Sequence, residues 1–259
     1  MEISKISRHN LGNHEALLRS CFPKSKLDES YLDWLYFKNP LGDVVGFDAM
    51  DGNTLAAHYA CVPTKIGGKL GLLSLNTATH PNYRSKGLYQ KLAKQTYEHW
   101  STKFDFVVGV ANSQSAAAFV NRLGFTDLGR LNLRYGDLRR PFSGTRTWTK
   151  ADIDWRTKSP RQRLETRILA NGMVELSTNP KNFLFKIKSL VAVSDYEISR
   201  DSEPPTSLRG FTVDWIKESN PRFSLPERLK PSPLVMIYQS LNGQNLEIES
   251  WSFPDFDAF

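Results

Sequence analysis

Residues 79–89 read Thr79-His80-Pro81-Asn82-Tyr83-Arg84-Ser85-Lys86-Gly87-Leu88-Tyr89 and lie between a strand-like run, Leu70 to Thr79, and a helical pattern, Ser85 to Trp100. In that helix Leu88, Tyr89, Leu92, Ala93, Thr96, Tyr97 and Trp100 recur at spacings of three and four, with Lys86, Lys91, Lys94 and Glu98 on the opposite face. The start of a helix leaves backbone N–H groups without internal partners, and the helix dipole adds partial positive charge there. Gly87 lets a ligand approach the backbone, while Arg84 and Lys86 add full charges beside it. The dipole alone contributes only about 0.3–1 kcal/mol, so several N–H groups and both cations have to act together. The stretch predicts an anion site at a strand-to-helix turn.

Working outward, residues 2–7 read as a strand, Asn13–Cys21 and Asp28–Lys38 as helices, the second stopped by Asn39-Pro40. Val44–Met50 and Leu55–Val62 read as strands turning at Asp51-Gly52-Asn53, and Ile66-Gly67-Gly68-Lys69 as a second tight turn. On the other side, the valine-rich run Asp105–Ala111 reads as a buried strand, and Ser113–Leu123 as a short helix ending at Gly124.

This arrangement resembles the GNAT superfamily of acyl-CoA-dependent N-acyltransferases, whose signature is Pro-x-x-Arg/Gln-x-x-Gly-x-Gly/Ala. Pro81, Arg84 and Gly87 carry it here, followed in the family's order by the strand Phe106–Val110, Asn112, and a helix closing on Leu123-Gly124-Phe125. The resemblance covers residues 1–137. It implies an α/β (α+β) fold with a mixed, mostly antiparallel sheet and helices on both faces. It also implies acetyl-CoA as co-substrate without a metal, and transfer of an acetyl or short acyl group to a primary amine of a small molecule by direct attack in a ternary complex. The pyrophosphate of CoA would lie on Arg84, Ser85, Lys86, Gly87, Leu88 and Tyr89. The pantetheine arm would pair with the backbone of Thr77 and Thr79, flanked by Asn112 and the helix after it.

Tyr31, Trp34 and Tyr36, with Asn39-Pro40, resemble an aromatic acceptor-side segment of larger members, some of which act on amino sugars or sugar nucleotides. Two positions depart from the family. Tyr89 replaces the usual terminal Gly or Ala, and Val120 stands where many members carry a tyrosine that protonates the leaving thiolate. The second departure motivates the alternative of a non-catalytic or weakly catalytic CoA-binding or regulatory module. Candidates for the general base are His58, His80, Tyr135 and the terminal carboxylate of Phe259.

Composition narrows the classes. With 259 residues, 40% apolar and 24% charged, the chain is long enough to bury a core without disulfide or metal. The net charge of +7 points to an anionic partner, and residues 1–140 hold most of it, with 18 basic against 12 acidic side chains. Apolar runs fall far short of the roughly 20 residues of a membrane span. Two cysteines forty positions apart and no apolar leader point to a reducing cytoplasm. The five histidines lack local metal-ligand spacing. Cys61 reads as a small buried residue. The basic stretch Arg156, Lys158, Arg161, Arg163 and Arg167 lacks the interleaved aromatics of a nucleic-acid patch and reads as a solvated linker, so no nucleic acid is expected as partner.

Ten of the fourteen prolines fall in residues 141–259, which sets a boundary near Pro141: an acetyltransferase domain over 1–140, and over 141–259 a smaller, strand-rich, Pro-rich accessory α+β region that builds or covers the acceptor site. A degenerate GNAT-like half is one reading of that region. Met173–Leu176, Phe183–Val193, Leu234–Ser240 and Leu246–Trp251 read as strands there, the last two as a hairpin across Asn242-Gly243, and Phe211–Ser219 as a helix.

Overall fold

The computed structural model describes residues 1–138, 148–169, 173–179, 186–193, 209–216, 223–224, 234–244 and 252–254. The first part runs β1 (Glu2–Lys5), α1 (Leu11–Cys21), α2 (Glu29–Phe37), β2 (Val45–Asp51), β3 (Thr54–Ile66), β4 (Lys69–Thr79), α3 (Leu88–Trp100), β5 (Phe106–Asn112) and α4 (Ser113–Leu123). These are the elements expected from the sequence. Local chemistry sets their ends: Asp28 caps α2 by accepting from the Tyr31 N–H at 2.9 Å, Asn112 caps α4 by accepting from Ser115, and Gly124 closes α4 at φ 75°. There follow β6 (Thr126–Arg130), β7 (Asn132–Asp137), α5 (Lys150–Thr157), β8 (Glu165–Ile168), β9 (Met173–Thr178), β10 (Ile187–Ala192), β11 (Arg209–Ile216), β12 (Phe223–Ser224), β13 (Leu234–Ser240) and β14 (Ser252–Pro254).

The first sheet has the order β1-β2-β3-β4-β5-β13-β6 and is antiparallel except for the parallel pair β4–β5. Leu92 and Tyr97 of α3 and Phe119 of α4 pack on one face, Leu18 of α1 and Leu32 of α2 on the other. The expected mixed sheet with helices on both faces is therefore present. Gly71 allows the tight start of the parallel pair, because a Cβ there would lie 2.2 Å from the Phe106 ring. The second sheet, β12-β7-β11-β10-β9-β8 with β14 on β11, is also antiparallel except for one parallel pair, β10–β11.

Two expectations for the later residues are corrected, and a third falls outside the described residues. Residues 209–216 form strand β11, not a helix: Phe211, Val213 and Trp215 recur every second position, and the segment pairs with β7 from Arg209↔Asp137 to Asp214↔Asn132. β5 and β6 occupy both sides of Val235–Tyr238, and residues 246–251, the expected hairpin partner of β13, lie outside the described residues. The boundary near Pro141 separates two sequence textures but not two sheets. β7, before it, belongs to the second sheet, and β13, after it, to the first.

The exchange is reciprocal. Each sheet has an antiparallel meander (β2-β3-β4, β8-β9-β10), then a parallel partner (β5, β11), then an antiparallel strand contributed by the other part of the chain (β13, β7). Trp34 and Trp155 add a bond between α2 and α5, their rings stacked at 4.7 Å and 19°. Each indole N–H donates to the other's backbone carbonyl, at 2.8 and 3.1 Å.

Candidate functional site

β4 and β5 pair from Gly71↔Phe106 to Ser74↔Gly109 and no further. The cause lies in β4, whose register against β3 shifts between His58 and Ala60, with Asn76 in the resulting bulge at φ 52°. A bulge bends its strand, here away from β5. The β4 edge from Leu75 to Thr79 is thereby left without a β5 partner, and a cavity of about 1160 Å³ opens at the gap. Asn76 and Thr77 of β4, Gly109 and Asn112 of β5, and Ser115 and Phe119 of α4 line one part of it; Tyr31 and Trp34 of α2 line another. Pockets for one small ligand run about 300–1000 Å³, so this one has room for two reactants.

The strand-to-helix turn lies where the sequence predicts it, except that α3 begins at Leu88 rather than Ser85. Pro81–Tyr83 make a single 3-10 turn capped by His80, whose Nδ1 accepts from the Asn82 N–H at 3.3 Å. Ser85 (φ 64°) and Gly87 (φ 69°) are both left-handed, and Gly87 immediately precedes the helix. The N–H groups of Ser85, Lys86 and Gly87 bond to no backbone carbonyl among the described residues. The side chains of Arg84, Ser85 and Lys86 are exposed around them. Tyr89 is turned to a structural use, its hydroxyl donating to the Ala118 carbonyl of α4 at 3.3 Å.

Other expected site residues are distributed unevenly. Thr77 and Asn112 line the gap, and Tyr31 and Trp34 line the cavity; Thr79 lies at the end of β4, outside the cavity lining. Tyr36, one helical step past the cavity-facing Leu35, is fully buried and points into the core. Tyr135 is on β7 in the second sheet, paired across to Phe211 with rings 4.9 Å apart, and does not line the cavity. Phe259 lies outside the described residues. Cys61 is fully buried, which pushes its thiol up to about 12, in line with a packing role.

His58 is the surprise. It is fully buried with both ring nitrogens engaged, Nδ1 with Asp48 Oδ1 at 2.7 Å and Nε2 with the Tyr36 hydroxyl at 2.9 Å. The other Asp48 oxygen takes His14 Nε2 at 2.7 Å, and Asn76 Nδ2 donates to the Tyr36 hydroxyl at 3.1 Å. Burial pushes the Asp48 carboxyl up, but the hydrogen bonds from His14 and His58 outweigh it and hold the group well below the usual carboxylate range. An ionised carboxylate only accepts, so both histidines donate to it; neutral His58 then accepts from Tyr36 through Nε2. The result is an ordered chain from His14 through Asp48, His58 and Tyr36 to Asn76 in the bulge. Among the described residues, His58 does not line the cavity, and its chain of hydrogen bonds reaches the lining at Asn76. The sequence reading missed His14, Asp48 and Asn76; the only local sign was a charged residue inside the apolar strand pattern of β2.

Burial, opposed by Asp48, also holds His58 below its ordinary value. The folded state then stays unprotonated where the unfolded chain, titrating near 6.5, takes up a proton. Stability from this group is fully present above about pH 6.5 and is lost as pH falls below it, with a limiting slope of about 1.4 kcal/mol per pH unit. Denaturant midpoints measured from pH 8 to 5 are expected to fall over the lower part of that range, and His58→Gln to flatten the profile. An equally steep profile in the variant would assign the effect elsewhere.

No family model and no curated relative matches the chain. Among solved structures, it shares its fold with a conserved protein of unknown function from Enterococcus faecalis V583, described as a probable N-acyltransferase. That likeness covers 93% of this chain and 73% of the other at 10% identity, with a TM-score of 0.55. Two less extensive likenesses are to a GNAT family N-acetyltransferase (YhbS) from Escherichia coli in complex with CoA (18% identity, 48% of this chain and 68% of that one, TM-score 0.37) and to a putative acetyltransferase from Agrobacterium tumefaciens (12%, 49% and 93%, 0.41). No helix among the described residues is long and apolar enough to cross a membrane.

Proposed function

We propose that this chain is an acyl-CoA-dependent N-acyltransferase that moves an acetyl or short acyl group to a primary amine of a small molecule, an amino sugar or sugar nucleotide being the acceptor class its sequence resemblance suggests. The observation that carries the reading is the pairing of two features on one strand. β4 has an edge from Leu75 to Thr79 with no strand partner among the described residues, its last carbonyl, of Thr79, accepting from the Cys21 thiol, and it runs into a turn whose free N–H groups sit at the start of α3. An extended chain bearing amides at one end and phosphates at the other matches both, and CoA has that form. Strand-like pairing on the edge, near Thr77, would hold the pantetheine arm, and Arg84 to Tyr89 the pyrophosphate.

In this reading the thioester lies in the gap between Asn76 and Gly109. The amine nitrogen attacks the carbonyl carbon, the C–N bond forms, the C–S bond breaks, and the sulfur leaves as thiolate; the ammonium proton passes to solvent or to the thiolate. Asn76 is fastened through Nδ2 to Tyr36, and its Oδ1 has no protein partner among the described residues, so it is free to accept a hydrogen bond from the incoming amine. Positioning of two reactants contributes about 7–11 kcal/mol, more than the factor of roughly 10²–10⁴ from a general acid, so Val120 does not preclude turnover. Calorimetry with acetyl-CoA and a free-thiol assay over an amine panel test the proposal. Binding with amine-dependent thiol release is expected; absence of acetyl-CoA binding would overturn it.

A further inference from the structure

Of the basic stretch that reads as a solvated linker in the sequence, Lys158, Arg161, Arg163 and Arg167 are exposed, but Arg156 is buried in α5, and Arg156, Arg161 and Arg163 all line the cavity. Four contacts join these groups in one stack. The Arg161 guanidinium carbon lies 5.4 Å from the Tyr31 ring centre, Tyr31 is 5.5 Å from Trp34, Trp34 is 4.7 Å from Trp155, and Arg156 is 4.4 Å over Trp155. The stack thus has an aromatic middle and a guanidinium at each end.

A guanidinium resting near a ring keeps its charge and its planar fork of N–H donors, and that fork can grip a carboxylate or phosphate through two oxygens. Neither Arg161 nor Arg163 forms an ion pair within 4 Å among the described residues; Arg163 lies near enough to Glu165 to help hold its carboxyl below the usual range, but that carboxylate's close partner is Lys186. Five cationic side chains line the cavity against two carboxylates, and both of those are engaged: Asp28 caps α2, and Glu165 pairs with Lys186. This wall is separate from the turn at Arg84–Tyr89, which does not line the cavity.

We infer that the acyl acceptor carries an oxyanion, a phosphate or a carboxylate, held by Arg161 and Arg163 while its body rests against Tyr31 and Trp34. The inference rests on the acyltransferase reading for what the ligand does, but not for its charge. An anchor of this kind places the anion on the α2–α5 side and leaves the amine at the far end to reach the gap beside Asn76.

Two matched pairs test it by calorimetry on the CoA-loaded protein and in the thiol-release assay: glucosamine 6-phosphate against glucosamine, and 4-aminobutyrate against 4-aminobutyramide. In at least one pair the anionic member is expected to bind about tenfold or more tighter than its neutral counterpart, and the pair that shows it identifies phosphate or carboxylate. The double variant Arg161→Gln, Arg163→Gln, both at exposed positions, is expected to bring that ratio within about threefold and leave acetyl-CoA affinity within about twofold. Four results would overturn the inference: equal binding within both pairs, binding of no member, a preference that survives the double variant, or a comparable loss of acetyl-CoA affinity, which would assign the wall to the coenzyme's own phosphates. Failure of acetyl-CoA to bind at all, with the anion preference intact in calorimetry on the free protein, would instead count against the acyltransferase reading alone.

Discussion

Replacing Asp48 by alanine is expected to cost about 3–5 kcal/mol of folding stability, the loss seen when one member of a buried, hydrogen-bonded charge group is removed. The reason is local. Asp48 is fully buried between α1 and β3, and its two oxygens are the acceptors for His14 Nε2 and His58 Nδ1. Without them two buried N–H donors lose their partner at once, and burial leaves no water to replace it. Asp48→Asn separates charge from shape. Its amide offers one acceptor and one donor, and His14, whose Nδ1 has no partner among the described residues, can move its proton there and accept from the amide through Nε2. A loss less than half that of the alanine variant is therefore expected from chemical denaturation. Equal losses would mean that the negative charge itself is required.

The second large effect concerns affinity. Arg84→Glu is expected to raise the Kd for acetyl-CoA about tenfold or more, equivalent to about 1.4 kcal/mol for each factor of ten, because it reverses a charge beside the turn proposed to receive the pyrophosphate. Arg84 is exposed, so the melting temperature should hold while affinity falls. The loss should be larger at low ionic strength, where charges at a surface are less screened. Calorimetry at two salt concentrations reads both. An unchanged Kd would place the phosphates elsewhere and remove the main role assigned to Ser85–Leu88.

The sequence revealed those parts of the molecule that short-range chemistry determines. Pro81, Arg84 and Gly87, Asn112 and Gly124 are all turn or cap residues, whose geometry is set within a few positions, and each is found where its local chemistry puts it. What it did not reveal depends on contacts between distant residues. His14, Asp48 and His58 converge across 34 and 10 positions, which a search for local histidine spacing cannot find. Trp34 meets Trp155 across 121 positions, and without that stack the basic residues after Trp155 have no visible reason to face a cavity. The strand β11 was misread because Trp215 and Ile216, taken with Phe211, also fit a helical spacing, and its pairing with β7 decides the matter.

The strand exchange bears on how the chain is made. When β5 and α4 have left the ribosome, the neighbour that separates β5 from β6 has not been synthesised, since about 120 residues lie between Asn112 and Leu234. At typical rates that is roughly 6–24 s during which two strand edges have no partner. Unpaired edges recruit other chains, so aggregation during synthesis is the main hazard for this topology. A truncation after Pro141 would make the interval permanent: the shortened chain would contain the whole signature, Pro81 to Tyr89, and the elements that follow it to Phe125, and still have an open sheet.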